Sequence, residues 1–189
     1  MTARRKTWLI FITLLLVAAL IVGCFVLVKL WRKSLYPIKY QSFVEKYSVE
    51  YSIPQELIYA VIYSESHFDK DAVSRAGAVG LMQIMPATFV WLMGEDTSEE
   101  DIFDPESNIK CGVMYLSFLY KYFGNWDTAI AGYNAGNGRV SGWLNDTRYS
   151  DDGKTLKYIP LDETRRYVEK VKKVADIYIE LYFNDTAEN

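Results

Sequence analysis

The chain has 189 residues, of which half are hydrophobic and 15% aromatic, enough for one packed domain with residues to spare. The formal net charge of −3 hides a division, because the first 36 residues hold six bases and no acid. The remainder holds 15 bases and 24 acids, a net charge of −9. Such an acidic domain repels phosphate backbones, so we expect no nucleic-acid partner.

The first predicted element is an uncharged apolar segment from Trp8 to Val28. As an α-helix, a segment of this length spans about 31 Å, the thickness of the hydrocarbon core of a bilayer. It lacks a clear small-residue cleavage site. We therefore predict a single transmembrane anchor over residues 8–30, after a short cytoplasmic N-terminus at 1–7. Bases flank both ends, so the charge rule does not orient the helix.

A second kind of anchor stays open. The segment Ile21-Val22-Gly23-Cys24 resembles the lipobox of bacterial lipoproteins, in which the cysteine is lipidated after cleavage. The apolar run continues past Cys24, where a lipoprotein usually turns polar, and this favours the helix. Either anchor tethers the rest of the chain to a membrane surface.

A linker is predicted at residues 31–42, a domain at 43–184 and a short tail at 185–189. Helical periodicity without convincing strands predicts an all-α domain. Its first helix begins near Phe43, and Ser52 is predicted to cap a second helix that has Pro54 in its first turn and ends near His67. Further helices are predicted at 86–94, 108–123, 127–133, 139–144 and 162–182, separated by loops at 69–79, 97–105 and 145–161.

Two of the later helices have clear apolar faces. The inward residues predicted for the helix at 108–123 are Val113, Leu116, Leu119, Tyr120 and Phe123. Those predicted for the helix at 162–182 are Tyr167, Val168, Val171, Val174, Ile177 and Tyr178.

Glu65 is the residue whose position points to chemistry. It follows Leu57 and Val61 at intervals of four, so it falls on the apolar stripe of the second helix. Burial there disfavours the charged carboxylate and raises its pKa, as a general acid requires. From this pattern alone, an ordinary glutamate that faces water or an ion pair is the more common interpretation.

Other kinds of site are disfavoured by the residues present. His67 is the only histidine, which excludes a multi-histidine metal site, and no G-x-S-x-G motif is present. Cys111 is the only cysteine outside the anchor, so it has no internal disulfide partner and is predicted to be buried. The glycine-rich segment at 132–138 lacks the Lys-Ser/Thr of a phosphate loop. We expect no metal and no cofactor.

Four segments, in order, carry a resemblance to a known family. They are Glu65-Ser66, the segment from Ser74 to Pro86 (SRAGAVGLMQIMP), the segment from Ala131 to Gly136 (AGYNAG) and the segment from Ile159 to Tyr167 (IPLDETRRY). Together they resemble the SLT-type (soluble lytic transglycosylase-like, glycoside hydrolase family 23-like) peptidoglycan lytic transglycosylases, from about residue 43 to 182. The resemblance implies a lysozyme-like all-α fold with a groove for peptidoglycan glycan strands.

The resemblance also implies an activity and a set of site residues. Family members cleave the MurNAc-β-1,4-GlcNAc bond without water and leave 1,6-anhydro-MurNAc ends, with a single glutamate acting as acid and then as base. By position this is Glu65. The substrate-binding residues implied by position are Ser74, Gln83, Met85, Tyr133, Asn134, Glu163 and Tyr167. The chain departs from the family pattern at Gly132, where alanine is common, and at Asn137, where proline is frequent.

The implied substrate places the domain outside the cytoplasm, on a chain expected to be a monomer. Two alternatives stay open beside the transglycosylase: a hydrolytic muramidase on the same fold, and a catalytically inactive glycan-binding or scaffold module. The site residues other than Glu65 also have ordinary interpretations as packing or capping residues.

Overall fold

The structure is a computed structural model that describes residues 3–98 and 101–184. The all-α prediction is confirmed for these residues, which form eight α-helices, one 3-10 turn and one π-helical turn, with only isolated β-bridges around Val79. The described chain separates into two units, one ending at Pro37 and one beginning at Ile38.

The first unit is the helix α1, Ala3–Leu35. Within its stretch Phe11–Leu35, an 18-residue window has a mean hydropathy of 3.1, so by length and composition the helix is able to cross a membrane. The first five residues of the predicted linker at 31–42 continue this helix, and its last two, Gln41 and Ser42, already belong to the next one. The helix continues because no breaker precedes Pro37, and the residue before a proline disfavours helical geometry. Residues 1 and 2 of the predicted N-terminus lie outside the described residues.

The second unit begins with α2, Gln41–Tyr51, and α3, Gln55–Ser66. The prediction that Ser52 caps α3 is wrong. Ser52 has a left-handed backbone (φ 57°) and ends α2, and Pro54 is the residue that precedes the first turn of α3. Only three residues separate the two helices, so Ser52 is used to reverse the chain.

A long loop follows α3, and α4, Pro86–Met93, begins at a proline, a residue well suited to a first helical position. The acidic segment predicted as irregular at 97–105 contains the 3-10 turn Asp101–Phe103. Residues 99 and 100 of that segment lie outside the described residues.

The middle of the domain is formed by α5, Pro105–Phe123, α6, Trp126–Ala135, and α7, Asn137–Leu144. The helix α5 starts three residues before the predicted position, because the Asp104 carboxylate accepts a hydrogen bond from the Ser107 N–H (2.9 Å) and caps the helix. Cys111 is buried, as predicted. The inward assignment of Tyr120 is wrong, since its side chain is exposed.

The last helix, α8, is Asp162–Tyr178, and it continues into the π-helical turn Ile179–Phe183. Of the residues predicted to face inward, Val168, Val171, Val174 and Tyr178 are buried. Tyr167 and Ile177 are only half-buried. The helix packs against α3 and α6, and this packing brings residues distant in the sequence to the end of α3. The predicted tail at 185–189 lies outside the described residues.

Candidate active site

Glu65 lies in the last turn of α3, at the point where this helix leaves the core. The residues from Leu57 to Ile62 are all buried, and Glu65 follows them with part of its surface still open to solvent. Beyond it, Ser66 Oγ donates a hydrogen bond to the Leu81 carbonyl (2.8 Å), and left-handed His67 ends the helix. The acid is therefore held at the edge of the core by a helix whose other turns are fixed by packing.

The surroundings of Glu65 favour its neutral form. Burial raises the pKa of this carboxyl to about 7, and two groups oppose the rise: the Tyr167 hydroxyl and the positive charge of Lys170. The Tyr167 O–H donates a hydrogen bond to Glu65 Oε1 at 2.6 Å. A carboxyl in this environment exchanges its proton near neutral pH, which suits both a general acid and a general base.

Two tyrosines from different helices lie near the acid. Tyr167 comes from α8 and Tyr133 from α6, where the Tyr133 hydroxyl donates a hydrogen bond to the Met82 carbonyl (2.8 Å). Burial, followed by the charge of Glu65, raises the pKa of both phenols well above the usual value. Both therefore keep their protons at all pH values at which Glu65 titrates, and both act as hydrogen-bond donors.

Asn134 follows Tyr133 on α6 and is exposed. Its side chain is held by Thr164, a residue that the sequence analysis did not single out. Thr164, which is fully buried on α8, donates a hydrogen bond from Oγ1 to Asn134 Oδ1 (2.7 Å). The amide oxygen is thus occupied, and the two N–H donors of Asn134 are left for other partners. The only feature of the sequence that points to Thr164 is its place within the segment from Ile159 to Tyr167.

Three predicted site residues belong to the loop between α3 and α4. Ser74 Oγ accepts a hydrogen bond from the Ala78 N–H (2.9 Å), so it closes a turn. Gln83, which has a left-handed backbone (φ 49°), donates from Nε2 to the carbonyls of Ala72 (3.1 Å) and Gly80 (3.0 Å). Met85 precedes α4 and is exposed. Substrate contact by these residues stays a prediction.

Glu163 is also among the predicted substrate-binding residues. It lies in the first turn of α8, where its side chain is exposed. No hydrogen bond joins it to the other predicted site residues, all of which the structure describes. The structure therefore brings Glu65, Tyr133 and Tyr167 together and places Asn134 beside Tyr133, and it leaves Glu163 apart from this network.

The loop is tied to α5 by a buried amide that the sequence analysis missed. Asn108 Oδ1 accepts from the Met82 N–H (2.8 Å), and its Nδ2 donates to the carbonyls of Val79 (3.0 Å) and Ile102 (2.8 Å). A Cβ on Gly112 of α5 would collide with the Met82 sulfur. This close approach holds Met82, and through its carbonyl the hydroxyl of Tyr133.

The departure at Gly132 has a local packing reason. A Cβ at this position would lie 2.8 Å from Phe123 Cε2 and 3.1 Å from Leu119 Cδ2, so the Phe123 ring fills the space that an alanine methyl would need. Phe123 and Leu119 therefore pack against position 132 in a way that requires a glycine there.

A third residue that the sequence analysis missed is Lys170, one turn beyond Tyr167 on the exposed face of α8. Its Nζ donates to the Ser64 carbonyl (2.8 Å), which is one of the free carbonyls of the last turn of α3.

As for metals, no group of three His, Cys, Asp or Glu residues within 3–98 and 101–184 is arranged to hold an ion.

Residues 42–156 match the Transglycosylase SLT domain. The chain belongs to the SLT family. Two relatives of this SLT chain are the soluble lytic murein transglycosylase of Escherichia coli K12, 35% identical over 83% of the chain, and the membrane-bound lytic murein transglycosylase C of Yersinia pestis, 34% identical over 74%. The SLT chain covers 26% of the length of the first and 46% of the second, so it spans less than half of these proteins.

Solved structures of the family confirm the predicted lysozyme-like fold class. The chain is similar to the 70-kDa soluble lytic transglycosylase of E. coli (TM-score 0.68, 34% identity), with 80% of this chain and 26% of that one covered. It is also similar to an inactive glutamate-to-glutamine mutant of the lytic transglycosylase Slt of Pseudomonas aeruginosa (TM-score 0.67, 36% identity), with 77% and 24% covered.

Proposed function

We propose that this SLT chain is a membrane-anchored peptidoglycan lytic transglycosylase that cleaves the MurNAc-β-1,4-GlcNAc bond without water and leaves 1,6-anhydro-MurNAc ends. One observation carries the proposal: the partly buried Glu65 carboxyl, with a pKa of about 7 and a hydrogen bond from Tyr167. Relatives named lytic murein transglycosylases support the substrate, and one of them is named as membrane-bound.

In the first step Glu65 acts as the acid. The Tyr167 hydroxyl occupies Oε1, so Oε2 is the oxygen available to carry the proton. Glu65 gives this proton to the glycosidic oxygen, the bond from C1 to that oxygen breaks, and positive charge develops at C1. The Tyr167 hydroxyl and the Lys170 charge both stabilise the carboxylate that remains, which lowers the barrier to proton donation.

In the second step the same carboxylate acts as the base. It accepts the proton of the muramoyl 6-hydroxyl, whose oxygen attacks C1 of the same sugar and closes the 1,6-anhydro ring. Glu65 ends protonated and ready for another cycle, and no water is consumed.

A single carboxyl is sufficient for this chemistry. Hydrolytic glycosidases use two carboxyl groups, because one must activate a water molecule or attack C1 itself. Here the attacking hydroxyl is already part of the substrate, and its high effective concentration replaces the second group. The two groups that lower the pKa of Glu65 are Tyr167 and Lys170, neither of which is a carboxylate. The inactive glutamate-to-glutamine mutant of the P. aeruginosa relative supports the need for one glutamate.

Product mass decides between this proposal and the alternatives. The full-length protein, solubilised in detergent, is incubated with purified sacculi beside its Glu65→Gln variant, and the released glycans are analysed by mass spectrometry. We expect products one water lighter than hydrolysed glycans, and none from the variant. Hydrolysed products would identify a muramidase, and binding without cleavage an inactive module. Undiminished lysis by Glu65→Gln would show that another residue is the acid.

A further inference from the structure

A series of aromatic side chains lies along α5 and begins beside the proposed site. Its first member, Tyr115, has its ring centroid 5.3 Å from that of Tyr133 of α6. Tyr115, Phe118 and Tyr122 follow at intervals of three and four residues, so they share one stripe of the helix. Their neighbouring ring centroids are 6.3 and 6.0 Å apart, and their planes deviate by only 9° and 22°. The three rings therefore form a nearly parallel series.

Trp91 of α4 stands beside this series. Its ring meets Phe118 edge-on at 5.0 Å and 87°, and Tyr115 at 6.4 Å and 85°. We call Trp91, Tyr115, Phe118 and Tyr122 the aromatic row. Because Tyr115 also contacts Tyr133, the row continues directly from the residues around the acid.

The row is not explained by packing of the core. Trp91 and Tyr122 are each 57% exposed, and Tyr115 and Phe118 are half-buried. The buried residue of α4 is Phe89, so α4 is fixed to the domain without Trp91. Leaving large apolar surface in water forgoes the free energy of burying it, and contiguous exposed apolar surface is a mark of binding sites.

The chemistry of the row selects its ligand. The four side chains are uncharged, and flat aromatic faces suit the apolar C–H face of a pyranose whose hydroxyls point sideways into water. From Tyr115 to Tyr122 the helix rises about 10 Å, which gives room for more than one sugar. A charged ligand would find no opposite charge among these rings.

We infer that the aromatic row is an extended subsite that holds the glycan strand beyond the bond to be cut, and that it makes the enzyme favour longer strands. This inference rests on the proposed function. Its occupant is the strand itself, because the row is continuous with the site that holds the reacting sugars.

The test compares glycan strands of different length. Uncrosslinked strands are released from sacculi by an amidase, separated by length, and digested by the full-length protein in detergent. We expect Trp91→Ala and Tyr122→Ala to lower the ratio of kcat/KM on long strands to that on short strands by about tenfold, the contribution of one well-packed aromatic contact. Trp91→Met, which retains apolar volume without a ring face, should lower it as well.

Tyr120→Ala is the matched control. Tyr120 is also an exposed tyrosine of α5, in contact with Trp126 (ring centroids 4.0 Å), but it lies about 140° around the helix from Tyr115. We expect it to leave the ratio unchanged. Thermal unfolding of each variant separates an effect on binding from a loss of folding. An unchanged ratio in Trp91→Ala and Trp91→Met, with the fold intact, would overturn the inference.

A binding experiment separates the failure of this inference from the failure of the proposed function. Soluble N-acetylglucosamine oligomers are added to the full-length Glu65→Gln protein, and tryptophan fluorescence is followed. We expect a change in emission that grows with oligomer length and is lost in Trp91→Phe. This outcome is independent of whether the wild-type products are anhydro or hydrolysed sugars. A change in emission caused by phospholipid vesicles but by no oligomer would assign the row to a membrane surface and overturn the inference.

Discussion

At the scale of single residues, the site depends on a balance around one carboxyl. Burial favours the neutral form of Glu65, and the Tyr167 hydroxyl and the Lys170 ammonium favour the charged form. The result is a pKa of about 7, at which donating and accepting a proton have similar free-energy costs. Each of the two opposing groups is therefore a means of shifting the pH range of activity.

Tyr167→Phe should shift the pH dependence of the reaction upward. The lost hydrogen bond stabilised the carboxylate, so its removal raises the pKa of Glu65 further. The decline of kcat on the alkaline side, where the acid loses its proton, should then occur at higher pH. At pH 6 we expect kcat to fall about tenfold, because the carboxylate formed in the first step has lost a donor.

The measurement is the pH profile of turnover on sacculi. Tyr51→Phe, which removes a hydroxyl at the end of α2, serves as the control and should reproduce the wild-type profile. A Tyr167→Phe profile with its alkaline decline unmoved or at lower pH would contradict the assigned role.

Glu65→Gln should make the folded state more stable, but only at higher pH. Folding raises the pKa of Glu65 from 4.5 to about 7, so the folded state binds the proton more tightly than the unfolded state. Stability of the wild type is then lost as pH rises from about 4.5 to about 7, and the loss is complete above pH 7. With a discount for partial exposure, the variant should gain about 1–2 kcal/mol at pH 8 and nothing at pH 4.

Urea unfolding of the full-length protein at the two pH values provides the measurement. Asn145→Ala, which changes an exposed residue and no titratable group, is the control and should show the same difference from wild type at both. Equal effects of Glu65→Gln at pH 4 and pH 8 would mean that burial does not act on this carboxyl.

The sequence singles out Glu65 and Tyr167 for the proposed site but not Thr164 or Lys170. Glu65 draws attention because a carboxyl on the apolar stripe of a helix conflicts with its surroundings, and the four segments that resemble the SLT family then point to it as the acid. Thr164 and Lys170 offer no such conflict: a threonine in a first turn and a lysine on an exposed face are ordinary residues there. Their roles arise from the packing of α8 against α3 and α6, which no local pattern encodes.

At the scale of the elements, the loop before α4 is positioned by α5. The Asn108 side chain makes three hydrogen bonds to the backbone, one each at Val79, Met82 and Ile102. Met82 in turn accepts the hydrogen bond of Tyr133. The buried amide of Asn108 on α5 thus fixes the position of the loop before α4, whose Met82 carbonyl binds the Tyr133 hydroxyl.

Asn108→Ala should destabilise the fold and impair activity together. The Met82 N–H and the Ile102 carbonyl lose their partner, whereas the Val79 carbonyl keeps the hydrogen bond from the Ile84 N–H (2.9 Å). Each unpaired group costs about 1–3 kcal/mol if water does not replace the amide. We expect a loss of about 3 kcal/mol in the free energy of unfolding and a larger fall in kcat than in substrate affinity, since Tyr133 is displaced. Urea unfolding and steady-state kinetics measure the two effects. Asn145→Ala, at an exposed position after α7, should change neither, and an unaltered stability of Asn108→Ala would refute the argument.

The helices themselves were largely predictable, and their ends less so. The apolar faces of α5 and α8 follow from periodicity, which is a property of each segment alone. The role of Ser52 was misassigned because a serine before a proline fits a helix start equally well, and only the three-residue spacing between α2 and α3 decides that it ends the earlier helix. Tyr120 was misassigned because a tyrosine at the border of an apolar stripe is stable on either side.

At the scale of the whole molecule, the proposed anchor is the helix α1. If this helix is the anchor, Cys24→Ser should leave the protein in the membrane fraction after high-salt and alkaline washing, because about 20 apolar residues suffice to hold a chain in a bilayer. The intact mass of the wild type should show no attached lipid. Release of Cys24→Ser from the membrane would favour the lipoprotein alternative, and Cys111→Ser is the control.

The hydrogen bond between Tyr167 and Glu65 joins residues 102 positions apart. On the proposed topology residues 1–7 stay in the cytoplasm and the domain is translocated from its anchored end, so Glu65 leaves the cytoplasm before the helix that carries its partner. The half-exported protein holds its acid without the donor that tunes it. Under the proposed function, docking of α8 is therefore the last step in assembling the site, and it supplies the hydrogen bond that limits the rise in the pKa of Glu65.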